Sequence, residues 1–200
     1  MRKFYPFLVC LFLCATSGAQ TMMPIPAHGS VYTGSARGYW FVAPVSFTIT
    51  GLRVPPEAGV GAQYIHLMKC HHPFPIAFGS PSTNFTTLTY ISGATNGIIQ
   101  NVNIPINAGD TIGILGTAGQ SNSYSATAVH YSSIGGFPVT LARLGYQGDI
   151  DLGPAPSYWG VDTGTAAEIS RVEMYYSVGP CIDPPTAGTA TVSASTVCAG

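Results

Sequence analysis

The stretch VSFTITGLRVP, residues 45–55, decides how the chain folds. Phe47 and Ile49 alternate with Thr48 and Thr50 in the two-residue rhythm of a strand lying on a core. Leu52 is also apolar but falls one position out of phase. Gly51, beside it, is the residue type that tolerates an extra position in a ladder, so a β-bulge is expected there.

The same rhythm recurs outward from this stretch. GYWFVAP (38–44) precedes it, and AQYIHLMKCH (62–71), TTLTYISGAT (86–95), GIIQNVNIPI (97–106), TIGILGTA (111–118), YSATAVHY (124–131), FPVTLARLGY (137–146) and AEISRVEMYYS (167–177) follow. Turn chemistry separates them: PPEAGVG, GSPSTN, TNG, NAGD and SIGG. Parallel strands would need helical crossovers, and no segment repeats its apolar residues every 3.6 positions. The expectation is an all-β domain, an antiparallel two-sheet β-sandwich of jelly-roll type with about nine strands.

Residues 1–19 read as a secretory signal peptide: Arg2 and Lys3, the apolar run FYPFLVCLFLC, and SGA before Gln20. The run is shorter than the roughly 20 residues a membrane helix needs, and no later stretch is long enough either. A lipid anchor at Cys10 or Cys14 fits poorly, because Val9 and Leu13 stand where a small residue is wanted. The mature chain is expected to be secreted, and therefore extracellular or associated with the cell surface.

Of seven Lys and Arg the leader takes two, leaving five against eight Asp and Glu, a net charge of −3. Polyanion binding rests on clustered cations, so nucleic acid is not an expected partner. Charged residues are only 8 % of the chain, against about 25 % in ordinary domains. The surface must therefore be built from Ser, Thr, Asn, Gln, Gly and Tyr. Three cysteines remain after the leader, Cys70, Cys181 and Cys198, an odd number for an exported chain.

The β-domain is expected over residues 20–179. Pro180, Pro184 and Pro185 stiffen a linker at 180–186. After it, residues 187–200 alternate Thr or Ser with Ala or Val like the first strand of another domain. That segment, within TAGTATVSASTVCAG, resembles the opening of the tandem immunoglobulin-like repeats of long secreted bacterial surface proteins. The body, through GYWFVAPVSFTITGLRVP, PINAGDTIGILG and ISRVEMYYS, resembles the β-sandwich module that precedes such repeats. The resemblance implies an adhesin-like surface protein, with the downstream immunoglobulin-like domains as its partners in the same chain. It also implies that Cys198 pairs within its own repeat, and it brings no catalytic residues.

IHLMKCHHP, residues 65–73, looks at first like a metal site. On a helix, His66 and Cys70 would share a face. On a strand rising about 3.3 Å per residue they stand roughly 13 Å apart, whereas two ligands of one zinc ion must meet within about 4 Å. Cys70 and His72 share a face about 6.6 Å apart and His71 points the other way. A bend at Pro73 could recruit His28 or His130, but no spacing demands it. The strand reading makes Cys70 a small core hydrophobe and expects no metal and no cofactor. Asp149 and Asp151, in GDIDLG, are the weak calcium candidates, since hard cations take carboxylate oxygens, but the full calcium-loop pattern is missing. Glu168 and Glu173 are an odd number apart and should face opposite ways, while Arg171 and Glu173 should share a face as a surface ion pair. No G-x-S-x-G elbow, thiol–histidine arrangement or phosphate loop occurs, so no catalytic residues are expected.

The aromatic residues carry more. Tyr158 and Trp159 lie in a loop bounded by Pro and Gly, and NSYSATAVHY and LGYQGDID add Tyr124, Tyr131, Tyr146 and Gln147. Rings beside amides and carboxylates suit a glycan, which needs an apolar face to stack on and fixed hydrogen-bond partners. The alternative is that these rings close the ends of the sandwich. Tyr39, Trp40 and Phe41 are expected in the core. The sequence therefore predicts a noncatalytic module making adhesive or glycan contact, or contact with a surface protein, through end loops. Its rivals are a structural spacer and an accessory domain of a glycan-degrading enzyme.

Overall fold

A computed structural model describes residues 20–128 and 130–179. The expected signal peptide, linker and immunoglobulin-like segment, with Cys181 and Cys198, lie outside the described residues. Among the described residues thirteen strands form: β1 Thr21–Met22, β2 His28–Thr33, β3 Arg37–Val42, β4 Phe47–Arg53, β5 Gln63–Cys70, β6 Phe85–Ala94, β7 Gln100–Ile106, β8 Thr111–Ala118, β9 Ser121–Ser125, β10 His130–Ile134, β11 Phe137–Gly145, β12 Trp159–Gly160 and β13 Glu173–Ser177. They make two antiparallel sheets, as expected for a β-sandwich. The smaller runs β1-β13-β4-β7; the larger runs β10-β11-β3-β8-β5-β6, with β12 on β11 and β2 joined through β9 to β8. In the small sheet Thr21 pairs with Tyr176, so the first and last strands lie side by side.

The bulge forms at the expected place. Ile49 pairs with Tyr176 and Gly51 with Tyr175, leaving Thr50 as the extra residue against β13, while against β7 Ile49 pairs with Ile104 and Gly51 with Asn101, so that Val102 and Asn103 lie opposite Thr50. The insertion returns Leu52 to the core beside Phe47 and Ile49. Two of the expected strand boundaries were wrong. YSATAVHY is not one strand: β9 stops at Ser125 and β10 starts at His130, with bends at 126–128. AEISRVEMYYS begins pairing in β13 only at Glu173, apart from an isolated bridge at Ser170. SIGG closes β10 onto β11 with a two-residue turn, Ile134 opposite Phe137, because Gly135 and Gly136 both take positive φ (61° and 87°).

One core fills the space between the sheets, with Tyr39, Phe41, Ile65, Leu67, Ile112 and Ile114 from the large sheet meeting Ile49, Leu52 and Met174 from the small one. The alternate residues of the same strands, Trp40, Met68, Cys70, Leu115, Ala142 and Leu144, point the other way and are also buried. They lie under a cover made by residues 71–84 and 146–165, which supplies Ile76, Ile150, Ala155, Tyr158 and Trp159. The central strands of the large sheet, β3 and β8 above all, are thus buried on both faces and correspondingly apolar at most positions, while β2 stays largely exposed and β6 is at most half-buried.

Candidate functional site

The cover is pinned together by short backbone pairings. Ser82 and Tyr158 exchange two hydrogen bonds (2.8 and 2.9 Å), and Ile76 and Gly160 exchange another two (2.8 and 3.2 Å). Phe74 stacks on Trp40 at 3.9 Å with planes 7° apart, occupying the space where a side chain on Gly160 would stand. The Trp159 ring likewise fills the space above Gly145, 2.5 Å from where a Cβ would be. Trp40 Nε1 donates to the Val161 carbonyl and Tyr158 Oη to that of Asn84.

Tyr158 and Trp159 are consequently not on an open end loop, as the sequence reading had them. They are 0 % and 8 % exposed, because the loop folds back as β12 on the edge of β11 and turns both rings into packing. Trp159 retains one polar contact, Nε1 to Gln147 Oε1 at 3.3 Å. Beside it lies a groove of about 390 Å³, walled by Pro75, Phe78, Trp159, Val161, Asp162 and Thr165. Phe78 meets Trp159 nearly at right angles, with centroids 5.6 Å apart and planes at 72°, and is itself 58 % exposed.

From Trp159 a ladder of rings and guanidinium groups runs across the molecule. Arg37 Cζ lies 5.2 Å from the Trp159 ring and 5.5 Å from that of Tyr32. Tyr32 stacks on Tyr124 at 5.4 Å, and Arg143 Cζ stands 5.5 Å from the other side of the ladder at Tyr124. These are the distances at which cation–π attraction operates. Arg37, 8 % exposed, spends its Nη1 on the carbonyls of Ala36 and Tyr146 (3.0 and 2.6 Å), and Arg143 is held by Glu168. The structure thus brings Trp159, Gln147, Tyr146 and Tyr124 together through Arg37. Tyr131, 79 % exposed on β10, is not part of the ladder. Sequence reasoning missed Arg37, Tyr32 and Phe78; an arginine opening an otherwise apolar strand was the available signal.

His66 and Cys70 do share a face, both toward the cover, and both are buried. The His66 ring is already occupied: the Ala155 N–H donates to Nδ1 at 3.2 Å, so Nε2 carries the proton and bonds Thr87 Oγ1 at 2.9 Å. Burial pushes the His66 imidazolium down to about 4 and the Cys70 thiol up to about 12. His71 and His72 are exposed and bond Thr86 and the Pro73 carbonyl. Among the described residues no three His, Cys, Asp or Glu side chains gather as a metal site.

The carboxylates go to separate partners. Asp149 accepts from Gln120 Nε2 at 3.2 Å; Asp151 is half-buried in the next bend, with Oδ1 enclosed. Arg171 and Glu173 do not pair, contrary to expectation. The chain between them is outside the regular strand, so Arg171 reaches Glu57 and Glu173 takes Arg53 at 2.5 Å and the Tyr175 hydroxyl at 2.8 Å. Glu168 lies ahead of β13 rather than within it. Ser125 and His130 approach at 3.4 Å, but Ser125 Oγ is committed to the Thr127 carbonyl and the Ile169 N–H. His130 Nδ1 finds no orienting partner among the described residues, so the pair lacks the third member a nucleophilic triad uses.

Among the described residues no helix is long and apolar enough to cross a membrane. No family model, no curated protein and no solved structure matches the chain, so the groove and its ladder have to be interpreted from their own chemistry.

Proposed function

We propose that this chain is an exported, noncatalytic surface module that contacts glycans at the groove between Phe78 and Trp159, ahead of immunoglobulin-like repeats. One observation carries the reading: Phe78 offers a large, exposed apolar ring at a corner whose second wall, Trp159, is locked by Arg37 and Gln147. A sugar ring gains from a rigid apolar surface because little side-chain entropy is lost on binding. Asp162 and the Thr165 hydroxyl stand on the same wall to receive hydroxyl groups.

The test is retention on immobilised glycans of the mature chain and of Phe78→Ala. Phe78 is exposed, so its removal leaves the fold intact, whereas Trp159→Ala would remove a buried ring and confound binding with stability. The expected outcome is a loss of about tenfold in affinity, the worth of one stacked ring. Equal binding by Phe78→Ala, or retention on no glycan at all, overturns the proposal.

A further inference from the structure

The groove carries an acid that no cation pairs among the described residues. Among the described residues four acids are neutralised: Glu57 by Arg171, Asp110 by Lys69, Glu168 by Arg143 and Glu173 by Arg53. Arg37 is spent on carbonyl groups and rings. Among the described residues the acids left without a cation are Asp149, Asp151 and Asp162, all in the covering segment 146–165. Asp162 lies on the groove wall itself. Its Oδ1 accepts from Thr163 N at 2.7 Å, whereas Oδ2 has no partner among the described residues.

Resting on the glycan reading above, we propose that the groove takes a sugar bearing a free amino group, its ring against Phe78 and its ammonium on Asp162 Oδ2. Three features select this class. An acidic sugar would meet Asp162 with like charge and find no free guanidinium. A neutral sugar would find mostly apolar wall, from Pro75, Ile76 and Val161, and few polar groups to satisfy its hydroxyls. An ammonium gains from the carboxylate of Asp162, which no cation pairs among the described residues, and complementarity of this kind discriminates between ligands. Arg37, which lies over the Trp159 ring, is fixed by its two carbonyls and leaves the Phe78 side of the corner to the ligand.

The experiment titrates the mature chain at pH 6 with a glucosamine hexamer, its fully N-acetylated counterpart and a neutral glucose hexamer, followed by calorimetry. The expected result is at least tenfold tighter binding of the amino hexamer. Asp162→Asn, which preserves the turn through its amide oxygen, should abolish most of that preference, weakening the amino hexamer at least fivefold more than the N-acetylated one. Asp149→Asn makes the same change in net charge away from the groove wall and should weaken the amino hexamer less than twofold. Equal affinity for the three hexamers overturns the amine preference while the glycan reading stands. Binding of none overturns both, and equal losses in Asp162→Asn and Asp149→Asn overturn the assignment to Asp162.

Discussion

Arg37 and Trp159 form a locked pair: the guanidinium carbon lies 5.2 Å from the indole ring, and its Nη1 bonds the carbonyl of Tyr146, next to the Gln147 that accepts from the indole. The contact joins the first residue of β3 to the edge strand β12 and thereby holds one wall of the groove.

Arg37→Lys should be damaging in spite of the conserved charge. An ammonium lacks the planar fork that bonds carbonyls while lying on a ring, and a charge that is 8 % exposed then loses part of its solvation. Urea denaturation is expected to register a loss of about 1–3 kcal/mol. A variant as stable as the parent would show that the ladder is incidental.

The phase change at Gly51 makes a paired forecast. Leu52→Ala should cost about 2–5 kcal/mol, because Leu52 is fully buried between the sheets. Thr48→Ala, on the opposite face of β4, should cost less than about 1 kcal/mol. Without the inserted residue at position 50, Leu52 would face outward and the two costs would be similar.

Stability should fall on mild acidification. The His66 imidazole is held neutral in the folded chain down to about pH 4, from an ordinary value of 6.5, because burial penalises its charged form. As pH drops below 6.5 the unfolded chain takes up a proton that the folded chain refuses, so stability is complete above pH 6.5 and is lost between 6.5 and 4. The full loss is about 3 kcal/mol. His130, also pushed down chiefly by burial, acts in the same direction. Urea midpoints measured against pH should show a shallower slope for His66→Gln than for the parent, by up to about 1.4 kcal/mol per pH unit.

Cys70 should be inert. Its thiol is buried and pushed up to about 12, so almost no thiolate exists near neutrality. In a mature chain carrying Cys181→Ser and Cys198→Ser, a thiol reagent at pH 8 should titrate no group in the native protein and one group in urea. Rapid native labelling would mean that the cover opens readily.

These forecasts rest on features that were unequally visible in the amino-acid order. The bulge could be read because one glycine and three apolar positions disagree about phase within a single strand. That His66 and Cys70 lie on one strand, and so share a face without being adjacent on it, could be read from the alternation around them. The cover could not be placed that way, although its trace is there: GYWFV, YIHLMKC and TIGILG are apolar at both parities, which means burial on both faces, but periodicity does not say what does the burying. Residues 146–165 contain few strand-forming runs, and only the pairing of Trp159 with Gly145 and of Gly160 with Ile76 makes Trp159 an interior residue. The ladder depends on contacts between Tyr32, Arg37, Tyr124, Arg143 and Trp159, which come from five different strands and leave no local pattern. The acid–base partners failed for the same reason, since Arg171 and Glu173 are close in the chain but are claimed by Glu57 and Arg53 from other elements.

The pairing of Thr21 with Tyr176 has a mechanical consequence. Both ends of the described chain leave from the same pole, on adjacent antiparallel strands. Tension applied through them would load the β1–β13 hydrogen bonds one after another, like a zipper, rather than all at once in shear. The first strand would peel away at low force while the large sheet, with the Phe78 groove on its flank, stayed off the line of pull.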